Sequence, residues 1–167
     1  LGVVDAIMYP GTQAFMRFGY PCRIPEAGRA QAFDVARRFL QAVGFTHGLF
    51  NMEFFYDAAR DRLTVIEFNP RMAAQFSDLY LRVDGIDLHR VALELAFGRD
   101  PALLPRSVPT AGATASFVYR SFDPATQPPM PSRTRQAALA KAFPDAMLFS
   151  FPKDRGQIAR LHQPHRR

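Results

Sequence analysis

Two runs of strand-forming residues lie close together in the middle of this chain. His47 to Tyr56 is one and Leu63 to Asn69 the other, with only the short polar stretch Asp57-Ala58-Ala59-Arg60-Asp61 between them. Runs of that length joined by so short a loop predict an antiparallel hairpin. Pro70 ends the second run, because proline has no N–H to offer a ladder. Strand side chains alternate between faces, so Asn51, Glu53 and Phe55 share one face of the first strand. Glu67 and Asn69 share a face of the second, and Arg71 continues that parity past Pro70. Met52, Phe54, Ile66 and Phe68 then face the other way, toward a core.

The polar face is costly to build. Glu and Asn are weak strand formers, and large apolar residues surround them. Two carboxylates held close repel each other unless a cation or a proton intervenes. A set of oxygen ligands at short range suits Mg²⁺, with substrate phosphates completing its octahedron. Arg71 adds a planar fork of donors for a phosphoryl group or a carboxylate. The alternative is a solvated polar face held by ordinary cross-strand salt bridges, and spacing alone leaves both open.

The remaining sequence supplies elements to pack against this ribbon. Hydrophobic residues make up 48% of the chain and 16 are Phe, enough for a core in one domain of 167 residues with a small appendage. Val3 to Tyr9 reads as a strand, and residues 11–25, with Pro21 and Pro25, as a loop or bent connection. Phe33, Ala36, Leu40 and Val43 fall at helical spacing opposite Arg29, Arg37, Arg38 and Gln41, which predicts a helix over about 27–43 closed by Gly44. Asp87 is placed to cap a second helix with an apolar stripe of Leu88, Val91, Ala92 and Leu95, ending at Gly98. Pro101, Pro105 and Pro109 read as a linker, Thr110 to Arg120 as a strand and Arg135 to Phe143 as a helix. Pro124, Pro128, Pro129 and Pro131 mark a loop between them. The order β-α-β-β-α-β-α-β predicts an α+β fold, an antiparallel sheet with packed helices.

Composition removes several function classes. A single cysteine, Cys22, excludes an internal disulfide framework and a Cys-rich zinc site. A structural thiol is the expected role, since no histidine neighbours it. No apolar run approaches the ~20 residues of a membrane span, and no signal pattern opens the chain, so a soluble, cytoplasmic protein is expected. His47 reads as a surface or capping residue and His89 as exposed. No two histidines are spaced with an acid as a zinc site would need. Neither phosphate-binding glycine loop, G-x-G-x-x-G or G-x-x-x-x-G-K, is present.

Charge is unevenly spread. Residues 1–100 carry 11 Arg against 12 Asp and Glu, whereas residues 101–167 carry 10 Lys and Arg against 3 acids. The basic last third has few aromatics and no recognised nucleic-acid motif, so it reads as a capping subdomain rather than a nucleic-acid binder. It includes the tail Arg160 to Arg167, with His162 and His165.

Glu53 followed by Val65-Ile66-Glu67-Phe68-Asn69-Pro70-Arg71 resembles the metal-binding hairpin of the ATP-grasp superfamily, an acid on one strand and E-x-N-x-R on the next. Tyr20-Pro21, Gly44 through Glu53, and Gly85-Ile86-Asp87-Leu88 leading to Gly98 fit the same branch, the carboxylate–amine ligases related to biotin carboxylase and carbamoyl phosphate synthase. The resemblance covers about residues 1–100. It implies the C-terminal half of an ATP-grasp domain over 1–102, with a small α/β appendage over 103–167. It further implies that Glu53, Glu67 and Asn69 bind Mg²⁺ (or Mn²⁺) on ATP, and that Arg71 stabilises the transferring phosphoryl group. Phe55 matches the residue that packs on adenine, although a plain core phenylalanine is equally compatible, and Asn51 falls on the phosphate side. Gln75, Ser77 and Asp78 follow in a loop that would face an incoming substrate.

The family's phosphate-binding lysines lie upstream of this region, and the only lysines here are Lys141 and Lys153. The chain, which starts at Leu1, is therefore expected to be a piece of a longer protein. Its partners would be ATP, a small carboxylate and the missing N-terminal half, and it would be inactive alone. The competing expectation is a non-catalytic nucleotide-binding or assembly domain that keeps the fold.

Overall fold

The structure, a computed structural model, describes residues 1–122 and 131–148. By its contacts the chain divides into two units between Val118 and Tyr119. In the first unit, strands β1 (Asp5–Met8), β2 (Phe15–Tyr20) and β5 (Thr114–Phe117) form an antiparallel sheet in the order β1-β2-β5. Strands β3 (Asn51–Asp57) and β4 (Arg62–Asn69) form a separate antiparallel hairpin. Helices α1 (Glu26–Ala42), α2 (Ser77–Asp84) and α3 (Leu88–Ala96) belong to the same unit. The α+β class stands, with two sheets where one was expected. Because β5 pairs with β2, the first unit runs past the linker expected near residue 102.

The core explains why residues 11–25 are not simply a loop. Phe18 and Tyr20 alternate along β2 and are buried with Ala73, Phe76, Leu79, Tyr80 and Leu88. The Phe18 and Phe76 rings meet edge-on at 5.0 Å, and Tyr20 meets Tyr80 at 4.9 Å, a favoured geometry for aromatic pairs. The flanking Gly and Pro residues suggested a loop; the alternating aromatics between them form the strand. Helix α2 was likewise not foreseen. Ser77 and Asp78 open it, and Gln75 sits in the preceding 3₁₀ turn, Ala74–Phe76, so these three are not loop residues. The Asp78 carboxylate instead accepts from Arg82 Nε, 2.8 Å away, one turn along.

Helix ends follow the expected chemistry. Gly44 has φ +68°, its N–H donates to the Gln41 carbonyl, and the Phe45 N–H reaches back to Leu40 at 2.9 Å, the two bonds of a Schellman cap. The Asp87 side chain accepts from the backbone N–H groups of His89 and Arg90 at 2.9 and 3.1 Å. Gly98, at φ +70°, closes α3 in the same way as Gly44, with the Arg99 N–H bonded to Glu94.

Helix α1 meets the expected stripe only in part: Ala36 is buried and Leu40 half-buried, but the inward face is shifted. Its buried residues are Gly28, Ala32 and Ala36, while Phe33 and Val43 are exposed. A stripe of small residues lets the hairpin approach closely. A Cβ on Gly28 would come within 2.6 Å of the Tyr56 ring, and Phe39 stacks on Phe68 at 3.8 Å.

In the second unit the described residues contain helix α4 (Arg133–Ala142), two residues ahead of the expected start, with the Ser132 hydroxyl accepting from the Arg135 N–H. Pro124, Pro128 and Pro129, Lys153 and the tail Arg160 to Arg167 with His162 and His165 lie outside the described residues. Among the described residues no helix is long and apolar enough to cross a membrane.

Candidate functional site

The hairpin register brings the polar residues into direct opposition. Asn51 pairs with Asn69 and Glu53 with Glu67 across β3 and β4. Between Glu53 and Phe54 the register shifts, so that Phe54 faces Val65 and Ile66 is the extra residue of a bulge. In an unbroken strand Val65, Glu67 and Asn69 would share one face. The bulge separates them: Val65 is half-buried, whereas Ile66 and Glu67 are exposed. Ile66, expected to face the core, is instead 51% exposed. The physical reason is that one inserted residue reverses the alternation on its two sides.

The open face of the ribbon thus carries Asn51, Glu53 and Phe55 from β3, and Ile66, Glu67 and Asn69 from β4. Phe55 is 61% exposed, which excludes the plain core phenylalanine among the described residues. Phe55 and Ile66 together make an apolar patch beside the paired acids. Sequence reasoning missed Ile66. The signal that could have found it is the adjacent β-branched pair Val65-Ile66 directly before an acid, which cannot both be core residues in a regular strand.

Electrostatics at the acidic pair are unbalanced. Glu67 accepts a 2.7 Å hydrogen bond from the Asn69 side-chain amide, which fixes one carboxylate oxygen. Among the described residues, neither Glu53 nor Glu67 has a cationic partner within salt-bridge distance. The cross-strand salt bridges of the solvated-face alternative are therefore not made. Like charges directly opposite on a sheet are destabilising, and among the described residues no cation offsets these two. No cluster of three or more His, Cys, Asp and Glu side chains occurs among the described residues. The donor set is two carboxylates and an amide oxygen, which fits a hard cation that keeps other oxygen ligands.

Arg71 sits apart from that set. β4 ends at Asn69, and the Arg71 N–H donates back to the Asn69 carbonyl at 2.8 Å around Pro70. This tight turn takes Arg71 off the strand parity that the sequence suggested. Its guanidinium lies 3.4 Å from the Met72 carbonyl and pairs with neither acid. It lines a depression of about 360 Å³ together with the loop before β3 and one side of α3. His47 lies within that loop, not at the start of the strand as expected, and places Nε2 2.7 Å from the Leu95 carbonyl on the last turn of α3. Cys22 is buried, as a structural thiol would be.

No protein-family model matches the chain. Curated relatives match about half of it. Carnosine synthase 1 from Gallus gallus is 38% identical over 90 residues, 53% of this chain and 10% of that protein. The carbamoyl phosphate synthase large chain from Pseudothermotoga lettingae is 33% identical over 84 residues, 50% of this chain and 7% of that protein. The matched stretches thus span about a tenth or less of the relatives' length. The biotin carboxylase domain of a single-chain bacterial carboxylase aligns with 59% of this chain and 23% of its own, at 23% identity and a TM-score of 0.49. The chain is accordingly a partial homologue of carnosine synthase and of the carbamoyl phosphate synthase large chain.

Proposed function

We propose that this chain forms the metal- and phosphate-holding part of an ATP-dependent ligase of the ATP-grasp kind, which activates a substrate carboxylate for attack by an amine. The observation that carries this reading is the Glu53–Glu67 pair, opposed across the hairpin with no cationic partner at salt-bridge distance among the described residues. Support comes also from the partial similarity to two synthases.

In this reading Glu53, Glu67 and Asn69 hold Mg²⁺ or Mn²⁺. The metal, when bound, neutralises charge on the ATP phosphates. Asn69 fixes the orientation of Glu67 through its amide. Phe55 and Ile66 offer an apolar wall to the adenine, about two residues or ~7 Å along the ribbon from the acids. Asn51 faces the phosphate side. Arg71 presents its donors to the carboxylate and to the phosphoryl group as it transfers. A carboxylate oxygen attacks the γ-phosphorus, the bond to ADP breaks, and an acyl phosphate results. The amine then attacks the acyl carbon and phosphate leaves. The protein contributes position and charge neutralisation with no covalent step of its own. The phosphate-binding lysines would lie in a further segment, so the chain by itself is expected to be inactive.

The test is ADP release by the longer ligase containing this chain, with Mg²⁺-ATP and a panel of carboxylates and amines. Glu67→Gln removes one charge while keeping the side-chain shape. It is expected to abolish ADP formation with the fold intact by circular dichroism. Full activity in that variant would refute the assignment.

A further inference from the structure

The apolar stripe of α3 is only partly used by the core. Leu88 is buried in it, but Ala92 and Leu95, one and two turns on, line the depression beside Arg71. Phe45, Leu49 and Met72 complete its apolar walls. The Gly44 cap ties the Phe45 backbone N–H back to Leu40, the Phe45 ring lies over Gly48, and the His47 bond to the Leu95 carbonyl holds this loop to the end of α3. Of the side chains that line the depression, Arg71 alone carries a permanent charge, and no Asp or Glu lines it among the described residues. Its volume, about 360 Å³, is at the lower end of small-molecule sites.

From these facts, and resting on the ligase reading, we propose that the depression takes the body of the carboxylate substrate and that this body is apolar and uncharged. Arg71 receives the carboxylate as a fork of donors. The chain between Glu67 and Arg71 is four residues long, at most about 14 Å when extended, so a carboxylate on Arg71 lies within reach of phosphates held at the acids. A substrate ammonium group in the depression would find no carboxylate among the lining residues to pair with. A bare carboxylate such as bicarbonate would leave the apolar walls wet. The class expected is a short branched or aromatic monocarboxylic acid.

The experiment titrates the ¹⁵N-labelled chain with 3-methylbutanoate, 3-methylbutanamide, glycine and bicarbonate. Mn²⁺ binding is followed separately by electron paramagnetic resonance. With 3-methylbutanoate, saturable shifts are expected at the Arg71, Ala92 and Leu95 amides, and the other three probes should bind at least about tenfold more weakly, the loss of one charge-assisted pair. Ala96→Phe, at the exposed rim of the depression, and Ala92→Phe, deeper in it, should weaken the acid by a similar factor while leaving Mn²⁺ affinity unchanged. Ala96→Phe is at an exposed position and keeps the test sound if the deeper variant does not fold. Equal binding of glycine or bicarbonate, no saturable shift in the folded chain, or unchanged affinity in folded Ala96→Phe would overturn the proposal. Loss of Mn²⁺ binding alone would count against the ligase reading and leave the depression's preference standing.

Discussion

The three-stranded sheet and the β3–β4 hairpin belong to one compact unit but settle their polar groups in opposite ways. Around β2, the Tyr20 hydroxyl donates to Asp84 Oδ2 at 2.5 Å and the Tyr80 hydroxyl to the Gly2 carbonyl at 3.0 Å. Leu79, 1% exposed, lies among their rings. The hairpin packs one half-buried face against α1 and leaves the other with two opposed carboxylates that have no cationic partner among the described residues. The first arrangement is what stability alone would select. The second carries a cost that a bound cation would offset. On the proposed reading stability and chemistry reside in different sheets, and substitutions should separate them.

The largest effect is expected where the core is tightest. Leu79→Ala should cost about 3 kcal/mol, the transfer term plus the cavity left behind. Urea denaturation of the whole chain would measure it, and Mn²⁺ affinity of the folded fraction should not change. A cost below about 1 kcal/mol would mean that α2 does not seal this core.

Tyr20 gives a smaller, pH-dependent contrast. Burial first, and then the hydrogen bond and charge of Asp84, hold its hydroxyl well above the ordinary tyrosine range. Burial likewise pushes Tyr80 up to about 12. A raised value in the folded state favours the neutral phenol. Its stabilisation is complete below the unfolded value near 10 and is lost as pH rises through the folded one. Stability should therefore fall above about pH 10. Tyr20→Phe should make that fall shallower and cost about 2 kcal/mol at neutral pH, because Asp84 loses a donor. Thermal melts across pH 7–12 would show both. An unchanged alkaline slope would remove Tyr20 from the account.

The same contrast governs what was legible in the sequence. The hairpin and its acids could be read because strand period, a short polar loop and Pro70 all point one way over a few residues. Caps at Asp87, Gly44 and Gly98 are equally local, and all three form as expected. Strand β2 was hidden because the same stretch carries turn residues at both ends, and only pairing with β1 and β5 decides it. α2 is short, and its place depends on burial against β2, which no local pattern announces. On α1 large apolar residues marked one face, yet close approach of the hairpin selects Gly28, Ala32 and Ala36. In the candidate site, Ile66 was misplaced because a bulge is a property of two strands together. Arg71 left the expected face because the turn at Pro70 closes on Asn69.

The smallest expected effect sharpens the comparison most, because its sign is opposite to that of the core variants. Glu53→Gln keeps the side-chain shape and its hydrogen-bonding capacity but removes one of two opposed charges. In the metal-free chain this should leave stability unchanged or raise it by about 0.5 kcal/mol, the scale of a like-charge cross-strand pair. The same substitution should lower Mn²⁺ affinity at least about tenfold, since a neutral amide oxygen replaces an anionic ligand on a hard cation. Paired urea titrations with and without Mn²⁺ read both quantities, because a ligand that binds only the folded state stabilises it in proportion to its affinity. In the wild-type chain Mn²⁺ should then raise the urea midpoint, and in Glu53→Gln the rise should vanish. If the substitution instead destabilises the metal-free chain by more than about 1 kcal/mol, Glu53 is held by contacts of its own and the hairpin face is part of the scaffold. Its carboxylates would then need no cation to explain them, and the division between a stabilising sheet and a chemical one would fail at the residue on which it most depends.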